Sequence, residues 1–144
     1  MSHTHSILIV DDDADFVEAT AAYLADKGFA VFKAYDGSEG LRIARLERPD
    51  VIVMDIMMTE RTEGMYAVQA IRRVPELRTV PILVASSLYD RVPDFCIPPD
   101  ERWLPFDRFL RKPIDPPRLL SIIREYLAGS GSTTMADANT SEGT

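Results

Sequence analysis

Short hydrophobic runs in this chain end, one after another, in groups suited to a divalent cation and a phosphoryl group. ILIV (7–10) leads into Asp11, Asp12 and Asp13, and VIVM (51–54) leads into Asp55. PILVA (81–85) leads into Ser86, and the run around Phe109 and Leu110 leads into Lys112 and Pro113. Crowded carboxylates repel one another, and a bound cation relieves that repulsion. Mg²⁺ prefers a few hard oxygen ligands and keeps several waters, so two or three carboxylates suffice to hold it. A carboxylate beside such an ion can also attack phosphorus and form an acyl phosphate. There, a lysine ammonium would neutralise phosphoryl oxygens and a serine hydroxyl would donate a hydrogen bond to one.

These groups converge only if the runs are parallel strands whose carboxyl ends share one sheet edge, the place where open α/β sheets bind ligands. The segments between the runs support that arrangement. Residues 14–27 place Phe16, Ala19, Tyr23 and Leu24 on one helical face, and Gly28 follows as a stop. Ala30–Tyr35 reads as a second strand. Asp36 reads as an N-cap, with Glu39 three residues on in a variant capping box, and Leu41, Ile43 and Ala44 are for burial. Pro49 and Asp50 break that helix before Val51–Met54. Gly64 opens a helix carrying Met65, Val68, Ile71 and Val74, and Val80–Ala85 is the fourth strand. Asp115, Pro116 and Pro117 begin a last helix whose core face is Leu119, Leu120, Ile123, Tyr126 and Leu127. The β-α alternation and the continuous apolar runs predict an α/β fold with a doubly wound five-stranded parallel sheet, and right-handed crossovers and the loop lengths allow an order such as 2-1-3-4-5.

Two stretches break the rhythm. Between Ser86 and Phe109, where a fourth helix is due, Pro93, Pro98, Pro99 and Pro105 predict a shortened helix or a proline-rich loop. Residues 129–144 lack large apolar side chains almost entirely and read as a disordered tail, with 1–5 as a disordered N-terminus and 6–128 as the folded domain.

The chain has 144 residues, 46% hydrophobic and 27% charged, with net charge −7 and pI about 4.8. One domain with one sizeable core fits that length. The acidic balance argues against direct nucleic-acid binding, since nothing would neutralise a run of phosphates. No apolar run approaches the roughly 20 residues needed to span a bilayer. With no membrane segment, no secretory signal pattern and one cysteine, Cys96, the expectation is a cytoplasmic protein. His3 and His5 are too few for a metal site of their own.

ILIVDDD, VIVMD, PILVASS and FLRKP, in that order and near that spacing, resemble the receiver domain of two-component response regulators, and the single-domain chemotaxis type in particular. The resemblance covers about residues 6–128 and implies a flavodoxin-like fold. It implies that Asp55 is the phospho-acceptor and that Asp11 and Asp12 are the acidic metal pair. Asp55 and the backbone carbonyl of Met57 would complete the protein ligands of Mg²⁺. Asp13 falls outside that pair and is left to cap the first helix. Ser86 matches the switch hydroxyl, Lys112 the phosphoryl-binding lysine with a cis peptide before Pro113, and Phe109 the aromatic switch position.

The implied partners are a sensor histidine kinase or phosphotransfer protein and a downstream protein target, with the chain a monomer or weak dimer. It is then a phospho-acceptor that promotes its own phosphorylation and is not otherwise an enzyme. Met57 and Leu88, two residues after Asp55 and Ser86, stand at the positions that flank the attacking water's path in such sites; both are apolar and can exclude it, which predicts slow self-dephosphorylation. Thr59 departs from the family's proline at that position, and residues 87–107 depart from its usual output face.

Rival readings fit less well. Asp11 and Asp13 form the D-x-D of aspartate-nucleophile phosphohydrolases, but Asp15 stands where Thr or Val is expected. An EF-hand loop needs glycine where Phe16 stands and glutamate where Ala22 stands. A receiver-fold interaction module that works without phosphorylation is the alternative.

Overall fold

The computed structural model describes residues 4–55, 63–86 and 106–128, with 63–65 and 86 as backbone alone. Met57, Thr59, Leu88 and Trp103, the proline-rich stretch and the C-terminal tail lie outside the described residues. Strands β1 (Ser6–Val10), β2 (Ala30–Ala34), β3 (Val51–Met54), β4 (Ile82–Ser86) and β5 (Arg108–Arg111) form one sheet in the order 2-1-3-4-5. Every neighbouring pair is parallel. The helices are α1 (Ala14–Asp26), α2 (Gly37–Glu47), α3 (Glu63–Arg72) and α4 (Pro116–Leu127). A 3₁₀ turn at Pro75–Leu77 delays the fourth strand, which starts at Ile82 and not at Val80.

The central strands are apolar throughout because both of their faces are covered. In β1, Leu8 and Val10 join a core under α2 and α3 that includes Ala44, Val68 and Ile71. Ile7 and Ile9 join a second core under α1 and α4 with Val17, Leu24, Leu119 and Ile123. Successive strand residues point to opposite faces, so one apolar run supplies both cores. The buried stripe of α1 is Val17, Thr20, Ala21 and Leu24, with Phe16 and Tyr23 half-buried and Ala19 exposed. The expected face is thus rotated: spacings of three and four residues from Val17 meet the sheet.

Caps set where the helices begin. The Asp13 carboxylate accepts the Phe16 N–H at 3.2 Å, and Asp36 accepts the Glu39 N–H at 2.7 Å. Glu39 reaches back to the Tyr35 N–H at 3.1 Å, one residue outside the usual capping box.

Helix α2 lies close against the end of β1. A Cβ on Gly40 would fall 2.8 and 2.9 Å from the two methyl carbons of Val10, the residue before Asp11. Overpacking costs about 1–3 kcal/mol, and alanine's better helix propensity returns at most about 1 kcal/mol. Gly40→Ala is therefore expected to lower stability by about 1–2 kcal/mol in urea denaturation followed by circular dichroism.

Candidate functional site

The strand ends carry the site. Hydrogen bonding of β1 to β2 continues one residue past the strand, with the Asp11 N–H on the Ala34 carbonyl at 3.1 Å. The Asp55 N–H is held on the Val10 carbonyl at 3.0 Å, so both aspartates leave the sheet side by side. Asp11 and Asp55 are buried, and Asp12 is exposed. One carboxylate oxygen from each of Asp11, Asp12 and Asp55 lies within 4.8 Å of the others. Lys112, just past β5, brings its Nζ to 2.5 Å from Asp11 Oδ2 and 3.4 Å from Asp55 Oδ2. The Lys112–Pro113 peptide is cis.

Asp13 sits apart from this cluster. Its N–H donates to Asp11 Oδ1 at 2.9 Å while its own carboxylate caps α1. Ser86 ends β4 in register with Arg111 and so lies on the same sheet edge, while its side chain is outside the described atoms. Phe109 pairs with Val84, is half-buried against the core under α2 and α3, and meets the Phe106 ring with centroids 6.3 Å apart. The Met57 carbonyl lies outside the described residues.

Three hard carboxylate donors at this separation suit Mg²⁺, which needs few protein oxygens. Burial raises the Asp11 carboxyl from 3.8 to about 6; the Asp55 charge adds to the rise, and the hydrogen bonds from Lys112 and the Asp13 N–H oppose it. A carboxyl whose folded pKa exceeds its unfolded value leaves stability untouched at low pH and lowers it as pH rises through the interval. Without metal, Asp11 therefore destabilises the fold progressively between about pH 4 and pH 6. Asp11→Asn removes this, so its stability relative to wild type should rise by about 3 kcal/mol across that window in chelator. Urea denaturation at stepped pH is the measurement.

A doubly wound sheet that gathers three carboxylates and a lysine at its carboxyl edge defines a class of α/β signalling domain. Comparison with known families agrees: the response regulator receiver domain matches residues 7–124, and the chain belongs to that family. It is 32% identical to protein PilH of Pseudomonas aeruginosa over 126 residues, which are 85% of this chain and 98% of that protein. It is 35% identical to the transcriptional regulatory protein PrrA of Mycobacterium tuberculosis over 135 residues, spanning 93% of this chain and 54% of that relative. The chain thus covers about half of the longer regulators and nearly all of the shorter one. The chemotaxis response regulator CheY4 of Vibrio cholerae superposes with a TM-score of 0.71 at 27% identity, covering 85% of this chain and 98% of that one. A putative response regulator from Chloroflexus aurantiacus gives 0.72 at 26% identity, covering 88% and 99%.

Among the described residues no helix is long and apolar enough to cross a membrane. Sequence patterns pointed to each carboxylate but not to two neighbours of Lys112 and β5. Phe16 lies under the Lys112 ammonium, with Nζ 4.2 Å from its ring centroid. Arg108 is buried within the edge strand, 3.5 Å from the Glu125 carboxylate. A lone aromatic in a helix reads as core, and a strand arginine reads as solvent-facing. Neither carries a local signal.

Proposed function

We propose that this receiver domain is a Mg²⁺-dependent phospho-switch whose acceptor is Asp55. The observation that carries the reading is Asp55 buried at a strand end, beside Asp11 and Asp12 and 3.4 Å from the Lys112 ammonium. An oxygen of the Asp55 carboxylate attacks the phosphorus of a phosphohistidine on a sensor kinase or phosphotransfer protein. The O–P bond forms as the P–N bond breaks, and the released imidazole takes up a proton. Bound at Asp11, Asp12 and Asp55, Mg²⁺ would supply charge neutralisation of the phosphoryl oxygens. Lys112 adds a fixed positive charge next to the acceptor. Ser86 and Phe109 convert the new group into a surface change by shifting an existing equilibrium between two states. The output is binding to another protein in the cytoplasm, without direct contact to nucleic acid and without catalysis on an outside substrate.

Intact-mass measurement after acetyl phosphate and Mg²⁺ tests this. Wild type should gain one phosphoryl group and Asp55→Ala none. The decay of that adduct reads the slow self-dephosphorylation expected from Met57 and Leu88. An unmodified wild type would put the phosphorylation-independent module in its place, and an equal adduct on Asp55→Ala would move the acceptor to another residue.

A further inference from the structure

We infer that Phe16 is a positioning residue for Lys112, holding the ammonium on the face of its ring at the acceptor; the inference rests on the phospho-switch reading. Lys112 Nζ lies 4.2 Å from the ring centroid, well inside the roughly 6 Å over which a cation is attracted to a π face. The lysine side chain is only 14% exposed. Its carboxylate neighbours are Asp11 at 2.5 Å and Asp55 at 3.4 Å. The contact is thus desolvated, and such contacts are the stronger ones.

The ring is held from the site itself. Asp11 Oδ1 accepts the Asp13 N–H, and Asp13 Oδ1 accepts the Phe16 N–H, so two hydrogen bonds join the metal-site carboxylate to the first turn of α1. A helical side chain leans toward the helix N-terminus, which directs Phe16 back over the strand ends. Half-buried, it also packs in part against the core under α1 and α4.

The function follows from what happens to the other neighbours. Asp11 is shared between Lys112 and any cation held by the triad. Asp55 gives up a carboxylate oxygen when it becomes an acyl phosphate. The attraction of the Phe16 ring for an ammonium is unaltered by either event. It keeps Nζ over the acceptor while the carboxylates change partners. A purely apolar role, with the lysine stem lying on a hydrophobic surface, would be served equally well by leucine.

Phe16→Leu and Phe16→Trp separate these roles. Phe16→Leu should slow adduct formation from acetyl phosphate by about three- to thirtyfold. Phe16→Trp should restore the rate, with thermal midpoints and Mg²⁺ affinity near wild type in both. Independently of phosphorylation, the Lys112 ε-methylene protons should show an upfield ring-current shift in NMR spectra of wild type, with and without Mg²⁺, and lose it in Phe16→Leu. Wild-type kinetics in Phe16→Leu, or an unshifted ε-methylene in Mg²⁺-loaded wild type, overturns the inference. A wild type that takes no adduct overturns the phospho-switch reading instead, while the ε-methylene shift still decides the Phe16 contact.

Discussion

Lys112→Met is expected to destabilise the metal-free protein by about 3–5 kcal/mol at neutral pH, and Mg²⁺ is expected to restore most of that loss. The lysine is the cation between Asp11 and Asp55, which are 1% and 6% exposed. Removing it leaves two neighbouring buried carboxylates without that countercharge. Breaking a buried ion pair by deleting one partner is costly for that reason. Asp11 is already held near pKa 6 with the lysine present. Without the lysine its hydrogen bond and charge no longer oppose burial, so the carboxyl moves further up. The defect should therefore shrink as pH falls and Asp11 takes up its proton. A second consequence has the opposite sign. Lys112 competes with a cation for Asp11, so the variant should bind Mg²⁺ more tightly while accepting phosphate more slowly. Thermal denaturation in chelator and in Mg²⁺, with a Mg²⁺ titration, checks both. A variant as stable as wild type in chelator at neutral pH would show that the ammonium does not neutralise the pair.

What could be foreseen in the sequence divides along a physical line. Strands β1, β3 and β4 are runs of Val, Ile and Leu bounded by polar residues, and their ends identify Asp11, Asp55 and Ser86 directly. The caps Asp13 and Asp36 are equally local, each bonding three residues ahead. The groups that were not foreseen act across the fold. Gly40 looks like an ordinary helix residue until α2 is laid against Val10. The rotation of α1 toward Val17 depends on which part of the sheet it meets. Phe16 and Lys112 meet only because α1 begins just past β1 and Lys112 reaches from the end of β5 across the carboxyl edge of the sheet. The 3₁₀ turn at Pro75–Leu77 is held in part by a side chain from α3. Periodicity reports how one element faces the core, and these contacts depend on how two elements face each other.

Arg72→Met is expected to cost about 3 kcal/mol and to loosen β5 selectively. One nitrogen of its guanidinium donates to the carbonyls of Leu77, Arg78 and Val80 at 3.0, 3.1 and 2.7 Å. The other donates to Asp107 Oδ2 at 2.7 Å. The same carboxylate oxygen accepts the Ile82 N–H at 2.8 Å, and the Asp107 N–H donates to the Ile82 carbonyl at 2.9 Å. One side chain thus ties the end of α3 and the turn after it to the starts of β4 and β5. Asp107 is about one-third exposed, which lowers the ion-pair share, so most of the expected loss lies in the carbonyls. Asp107→Asn keeps an acceptor for Ile82 and should cost less, about 1 kcal/mol. The consequence for the site comes from geometry. β5 is an edge strand of four residues in register with Leu83 to Ser86, and Lys112 follows it immediately. A strand so short has few ladder bonds of its own, so its register depends on what holds Asp107, the residue just before it. Amide hydrogen exchange should accelerate in β5 of Arg72→Met more than in β1 or β3, and phosphorylation from acetyl phosphate should slow even though Arg72 lies at the opposite edge of the sheet. Uniform acceleration across all strands would instead make Arg72 a general contributor to stability, with no particular hold on Lys112.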